Sequence, residues 1–256
     1  MKKAQRVLSL VSALALAALL TGCGAKTPQD VYIDAVKKQS ELKDMHTISD
    51  IDMDVSFMGV SMPVAMTVDM LAKNSGQSDM QMQMDMSMEM MGMTLDMGSY
   101  YADGWMYMVV LGTKAKTEMP LEDAMGQQMQ LDLSGLDTEN MVELTMEDGE
   151  EGAKVLHFTV DGQLLTDSLS LITSELGQDI SSAELGVCDI TLTVGKDGYF
   201  HQMDCTMPIT IETADTPMDM EMTMSTQFVD PGQPVEITPP VDLDSYVEGA
   251  DTHVYM

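Results

Sequence analysis

The chain has 256 residues and carries 12 Lys and Arg against 42 Asp and Glu, a formal net charge of −30 at pH 7. That length supports one large or two small domains, and that charge excludes a nucleic-acid partner, because binding phosphate needs Lys and Arg. With 30 Met against four Phe and one Trp, the apolar side chains are dominated by the thioether, while the acids read as a solvated surface.

Lys2, Lys3 and Arg6 precede an apolar run from Val7 to Leu19, which is too short for an ordinary transmembrane helix. Leu20-Thr21-Gly22-Cys23 follows at once. A positive n-region, an apolar h-region, small residues and a Cys in that order read as a lipoprotein signal peptide over residues 1–22, with Cys23 as the lipid-modified N-terminus. The membrane is then a partner through the acyl chains on Cys23, and two chains hold a protein stably where one holds it marginally. The expected location is the extracytoplasmic face of a cell membrane. Residues 23–26 form the lipidated tether. Gly24 to Lys26 reaches only about 10 Å at roughly 3.4 Å per residue, so the body that follows sits close to the bilayer.

Thr27-Pro28 reads as an N-cap followed by proline at the first helical position, with Asp30 in the first turn. Val31, Tyr32, Ala35, Val36 and Leu42 give one amphipathic helix up to about Lys43. From Ile48 the period changes to two. Ile51, Met53, Val55 and Phe57 alternate up to a Met58-Gly59 turn, and Val60, Met62, Val64, Met66, Val68 and Met70 alternate beyond it. Asn74-Ser75-Gly76 signals a three-residue turn. Met80, Met82, Met84, Met86, Met88 and Met90 follow, then Met91-Gly92, then Met93, Leu95 and Met97. These turns oppose Phe57 with Val60, Met70 with Met80, Val68 with Met82, and Met90 with Met93. Every choice keeps the apolar residues on one sheet face, and a slip of one residue would invert a whole strand. The other face carries Asp52, Asp54, Thr67, Asp69, Gln83, Asp85, Ser87 and Asp96.

Asp103-Gly104 joins Ser99–Ala102 to a strand over Trp105–Leu111 whose two faces are both apolar, so each side needs a cover. Pro120 to Gln130 suggests a short helix. Val142–Met146 and Val155–Val160 flank an acidic turn. Leu165, Leu169, Ile172 and Leu176 mark a helix ended by Gly177. Cys188, Ile190, Leu192 and Val194 alternate into Gly195-Lys196-Asp197-Gly198, and Met203, Cys205, Met207, Ile209 and Ile211 alternate away from it. A turn centred between Lys196 and Asp197 sets Cys188 opposite Cys205, which gives either a cross-strand disulfide or two free buried thiols. A loop with Gly198 in a bulge misaligns them. Met218, Met220, Met222 and Met224 form a last strand, Pro231 to Pro240 runs extended along the surface, and residues 247–256 read as a loose tail. Residues 27–246 are expected to be a single α+β domain.

A lipobox, a first helix, a long antiparallel meander, the Tyr101-Ala-Asp103-Gly104-Trp-Met-Tyr107 hairpin, a helix near 163–176 and a closing Val235-Glu-Ile-Thr-Pro-Pro240 resemble Gram-positive lipoproteins of the LolA/LppX-like superfamily. The resemblance covers most of the chain after residue 26. It implies a strongly curved antiparallel β-sheet, a half-barrel, with helices packed on its concave face, and a cavity between them for lipid or acyl chains. It carries over no ligand-contacting residue.

The methionine face admits three readings. Methionine fills a core, being unbranched and adaptable. It equally lines a cavity for lipid or another apolar ligand, with Met62, Met66, Met82, Met84, Met86, Met88, Met220 and Met222 as the lining. Thioethers also suit Cu(I), yet residues i and i+2 of a strand lie about 6.6 Å apart, and His46, His157, His201 and His253 all fall outside the Met runs. No motif for catalysis, a metal or another cofactor is present. The expected function is non-catalytic binding of an apolar ligand by a membrane-anchored lipoprotein. The alternative is an envelope structural or interaction protein with a packed core.

Overall fold

The computed structural model describes residues 26–57, 60–126, 136–165, 183–211 and 218–249. Helix α1 (Pro28–Ser40) starts where the sequence places it. The Thr27 side chain accepts from the Asp30 amide at 3.2 Å, and Asp30 Oδ2 accepts from the Thr27 amide at 3.0 Å, a reciprocal capping box. The Thr27 hydroxyl, which donates to Asp30 Oδ2 at 2.7 Å, and then the Thr27 amide hold the Asp30 carboxyl below its ordinary pKa. The helix buries Val31, Tyr32 and Ala35, and the Tyr32 ring meets Phe158 edge-on with centroids 5.8 Å apart.

Thirteen strands among the described residues form a single open, curved sheet. They are β1 (Met45–Phe57), β2 (Val60–Lys73), β3 (Gln81–Met90), β4 (Met93–Ala102), β5 (Trp105–Val110), β6 (Thr113–Glu118), β7 (Val142–Asp148), β8 (Lys154–Asp161), β9 (Ala183–Leu185), β10 (Val187–Val194), β11 (Phe200–Ile211), β12 (Met218–Phe228) and β13 (Val247–Glu248). Their order is β13-β6-β5-β4-β3-β2-β1-β12-β11-β10-β8-β7, with β9 also on β11. All neighbours are antiparallel except β13, which lies parallel to β6. A second short helix, α2 (Leu121–Gly126), realises the front half of the helix expected from Pro120. Of the helix expected over 165–176 only Leu165 is described, buried at the end of a short 3-10 turn, Gly162–Leu165, and the rest lies outside the described residues.

Two-residue turns fix the β3–β4, β4–β5 and β5–β6 hairpins. Both central residues have positive φ in each: Met91 (54°) and Gly92 (75°), Asp103 (53°) and Gly104 (78°), Leu111 (50°) and Gly112 (77°). This is the turn whose twist matches paired strands. Leu111 therefore caps a hairpin with its side chain 72% exposed, where the sequence reading made it the end of a strand.

The β1–β2 pairing sets Phe57 opposite Val60 and Met53 opposite Val64, as expected. The β2–β3 pairing differs. Met70 faces Met84 and Val68 faces Met86, not Met80 and Met82. Residues 74–80 form a longer loop, with Asn74 at φ 53° and Gly76 at φ 73°, and the buried Met80 belongs to it. The pairing moves by four residues, an even number, so every methionine keeps its face.

Pro208 interrupts β11 without breaking the sheet. Its carbonyl accepts from Gly186 at 2.8 Å at the gap between β9 and β10, so no partner there needs the N–H that proline lacks. The approach is close enough that a Cβ on Gly186 would lie 2.6 Å from Pro208 Cγ.

Candidate functional site

One face of the sheet is a continuous thioether and aliphatic layer. A single cross-strand row runs Val110, Met97, Met86, Val68, Ser49, Thr226, Met203, Leu192 and Leu156, from β5 to β8. The next row includes Met88, Met66, Ile51, Met224, Cys205, Ile190 and Phe158. Met62, Met66, Met82, Met84, Met86, Met88, Met220 and Met222 all stand on this face, because alternate residues of paired strands share a side.

Burial along the layer is graded. Met222 is 0% exposed, and Met207, Met224 and Met220 are buried in the same cluster, which also takes in Val31, Tyr32 and Ala35 of α1. Beneath α2, Met70, Met80, Met82, Tyr101 and Met106 pack around the buried Ala124. Toward the β3–β4 turn the layer opens. Met84, Met88, Leu95, Met97 and Met108 are half-buried, Met62 is 36% exposed and Met93 is 65% exposed. Two polar features interrupt it. Ser49 Oγ and Thr226 Oγ1 share a buried hydrogen bond of 2.9 Å. Ser99, standing between Met84 and Met108, has a buried hydroxyl with no partner among the described residues.

The opposite face is a ladder of carboxylates and hydroxyls. Thr67 donates to Asp50 at 2.8 Å, Ser87 to Asp96 at 2.8 Å, Thr210 to Asp219 at 3.0 Å and Ser225 to Asp204 at 2.7 Å. Interleaving donors between acids relieves the repulsion that like charges on facing strands create. The three described histidines are dispersed over this face: His46 Nε2 is 2.9 Å from Asp69, His157 Nδ1 is 3.0 Å from Thr191, and His201 Nε2 is 3.1 Å from Asp197. Among the described residues no three His, Cys, Asp or Glu side chains converge on an ion-sized space.

The second cover that Trp105–Val110 requires is the C-terminal strap. Residues 229–246 cross the carboxylate face and pack Val235 and Ile237 on Tyr100, Ala102, Leu71 and Tyr107. Residues 247–248, assigned by the sequence to a loose tail, then pair with Ala115 and Lys116. Between strap and sheet lies a groove of about 540 Å³ bordered by Asp85, Asp96, Gly98, Tyr100, Tyr107 and Tyr246. The sequence signal for it was the outward set Trp105, Tyr107 and Val109, but nothing periodic in the strap marked it as the partner.

The strap is latched at its far end. Lys114 pairs with Asp242, its Nζ lies 5.5 Å from the Tyr246 ring, and that ring meets Tyr107 edge-on at 5.4 Å. The Lys114 hydrogen bond lowers the Asp242 pKa. A depressed carboxyl contributes stability above the unfolded value, about 3.9, and loses it as pH falls through the folded one. Acidification is therefore expected to release the strap before the sheet, seen as loss of near-ultraviolet tyrosine dichroism ahead of the far-ultraviolet transition. Coincident transitions, or a Lys114→Met variant with the same acid profile, would contradict this.

Residues 27–243 match a family model described as a family of unknown function, DUF6612. The chain belongs to the DUF6612 family. No curated protein matches this DUF6612 sequence. Among solved structures it is similar to LprF from Mycobacterium bovis, at 16% identity and a TM-score of 0.51, over 83% of this chain and 96% of LprF. That likeness shows the fold, whose curved antiparallel sheet is the one implied by the resemblance to LolA/LppX-like lipoproteins. A LolA superfamily protein from Nitrosomonas europaea also aligns, at 8% identity over 84% of this chain and 96% of its own, but with a TM-score of 0.25 nothing rests on it.

Proposed function

We propose that this DUF6612 chain is a non-catalytic, lipid-anchored protein of the extracytoplasmic membrane face that binds lipid or another apolar ligand against its methionine layer. The observation that carries the reading is the grading of that layer. It is buried from Met220 and Met222 to Met207 and half-open from Met84 and Met88 to Met62 and Met93. A half-open apolar surface of flexible thioethers can repack around acyl chains of differing shape. Each methylene moved out of water contributes about 0.8 kcal/mol, offset in part by the ordering cost of association. The unpaired Ser99 hydroxyl supports the same reading, because a buried donor without a partner costs about 1–3 kcal/mol and a ligand oxygen would satisfy it. In this proposal the layer lines the hollow of the curved sheet, and Cys23, separated from α1 by a few residues, keeps it beside the bilayer that supplies the ligand.

The burial of Met66, Met82, Met86, Met220 and Met222 favours a second reading, an interaction lipoprotein with a packed core. Native mass spectrometry and organic extraction of residues 24–256, followed by titration with a fluorescent fatty acid, separate the two. Bound lipid or saturable uptake is the expected result. Ligand-free protein with no uptake leaves the packed core.

A further inference from the structure

Cys188 on β10 and Cys205 on β11 both face the methionine layer, where they are 0% and 3% exposed. The turn closes around Asp197, with Val194 opposite Phe200, and the β10–β11 ladder then shifts register between Thr193 and Val194, so Ile190, not Cys188, stands opposite Cys205. The cysteines are thus diagonal neighbours, two residues out of step, which is the misalignment the bulged loop implied. Their sulfurs are nevertheless 2.7 Å apart, inside the contact distance of unbonded sulfur atoms. The physical reason lies in the sheet. A bulge raises the local right-handed twist, and twist brings one of the two diagonals of a strand pair closer than the other. The surroundings are apolar. Cys188 pairs across to Val160, Cys205 across to Met224, and both belong to the main buried cluster with Phe158 and Met207.

We propose that Cys188 and Cys205 are a modification site that closes as a disulfide in the exported protein. The export part of this inference rests on the Cys23 reading; the pairing does not. The electron acceptor is a disulfide-bearing compound, either a thiol oxidoreductase or a small-molecule disulfide such as oxidised glutathione. One thiol loses its proton, and its sulfur attacks the acceptor's disulfide. This forms a mixed disulfide and releases one acceptor thiolate. The second cysteine, deprotonated in turn, attacks the protein-side sulfur of that bond. The intramolecular disulfide forms and the second acceptor thiolate leaves. Two protein thiols are oxidised, one acceptor disulfide is reduced to two thiolates, and the two protons lost by the protein thiols end on those thiolates. Both sulfurs are sealed in the folded chain, and the adjoining Cys205 sulfur together with burial pushes the Cys188 thiol upward, so the exchange belongs to folding, before β10 and β11 close. Afterwards the bond is shielded from reductants by the same packing.

The consequence is a division of the methionine layer. The bond staples the β10–β11 side, which is already fully buried, and leaves the half-open β2–β4 side free to deform.

The test uses the chain with its native cysteines in two arms. In the first, residues 24–256 are refolded from denaturant with reduced and oxidised glutathione, then denatured in an alkylating reagent without reductant. The expected product is two hydrogen atoms lighter than the dithiol, with neither Cys188 nor Cys205 alkylated until reductant is added. Two alkylated cysteines, or two glutathione adducts, overturn the pairing. In the second arm the lipoprotein is taken from intact cells and treated identically. A disulfide in both arms supports the proposal in full. Closure in the first arm with free thiols in the second supports the pairing and overturns export to an oxidising compartment. A functional check accompanies both. Reduction in denaturant followed by refolding in reductant is expected to lower the thermal midpoint of the oxidised chain by roughly 5–10 °C and to leave a Cys188→Ala, Cys205→Ala double variant unmoved. An oxidised chain whose midpoint ignores reductant that has cleaved the bond overturns the stapling role.

Discussion

Asp44→Ala is expected to lower the unfolding free energy by about 2–4 kcal/mol and to free the C-terminal strap from the sheet. Asp44 stands just before β1, and its two oxygens serve two distant segments. Oδ1 accepts from the Asn74 amide at 3.0 Å, holding the long β2–β3 loop, and Oδ2 accepts from the Val235 amide at 3.0 Å, holding the strap. Hydrogen bonds to an ionised acceptor contribute more than neutral ones, and losing the acceptor also leaves the amide of a buried residue, Val235, without its carboxylate. The flanking bonds, Ser75 N–H to Lys43 at 2.7 Å and Val229 N–H to His46 at 2.9 Å, are backbone contacts that the substitution does not touch. The apolar packing of Val235 and Ile237 on Tyr100 is therefore left to hold the strap without its anchor. For a chain of this size the loss corresponds to a fall in thermal midpoint of roughly 4–16 °C. Asp44→Asn, which keeps one acceptor oxygen, is expected to cost about half as much. Hydrogen exchange resolved by residue checks the mechanism: amides of 229–246 are expected to lose protection most. Unchanged protection there, at whatever stability, removes Asp44 from this role.

The strap also marks the limit of what the sequence reveals. Strands with alternating Met, Val and Asp were legible because a period of two is set by the pleat itself, and the Met91-Gly92 and Asp103-Gly104 turns fixed register because a two-residue loop leaves no freedom. Asn74 to Met80 did not fix it, since a longer loop accepts several closures, and only the even shift preserved the face. Leu111-Gly112 escaped notice because leucine is a poor resident of positive φ, and its composition gave no turn signal. Cys188 and Cys205 were placed on the right strands and the right face, but a bulge is a single-residue event with no periodic trace. Residues 229–249 have no period at all. Their docking is set by long-range contacts, Asp44 with Val235 and Lys114 with Asp242, which no local window contains. The Met62 to Met222 face was legible as a face. Its gradient of burial was not, because burial depends on which elements cover each part of the sheet.

That gradient makes the strongest functional prediction. A carboxylate is expected to have opposite consequences at the two ends of the same methionine layer. Met222→Asp places a charge at a position 0% exposed, between Met53 on β1 and Met207 on β11. No cation lies among its cross-strand neighbours, so the charge must be neutralised or expelled. The expected cost exceeds about 4 kcal/mol, enough to prevent folding of a marginally stable domain. Met222→Leu, which conserves volume and polarity, is expected to cost less than about 1.5 kcal/mol, so the requirement at this position is apolar filling. Met88→Asp, half-buried on β3 beside Met66 and Leu95, and Met62→Asp, 36% exposed, keep access to water. Both are expected to fold with midpoints near that of the parent chain, because their carboxylates remain solvated. An acyl chain lying on the open half of the layer would have to desolvate the same carboxylates. Fatty-acid uptake is therefore expected to fall at least about tenfold, about 1.4 kcal/mol or more, in each folded variant. Uptake by Met88→Asp and Met62→Asp equal to that of the parent chain, with the fold verified by circular dichroism, would place the ligand elsewhere. In that case the groove between Tyr100, Tyr107 and Tyr246 on the opposite face becomes the surface to probe.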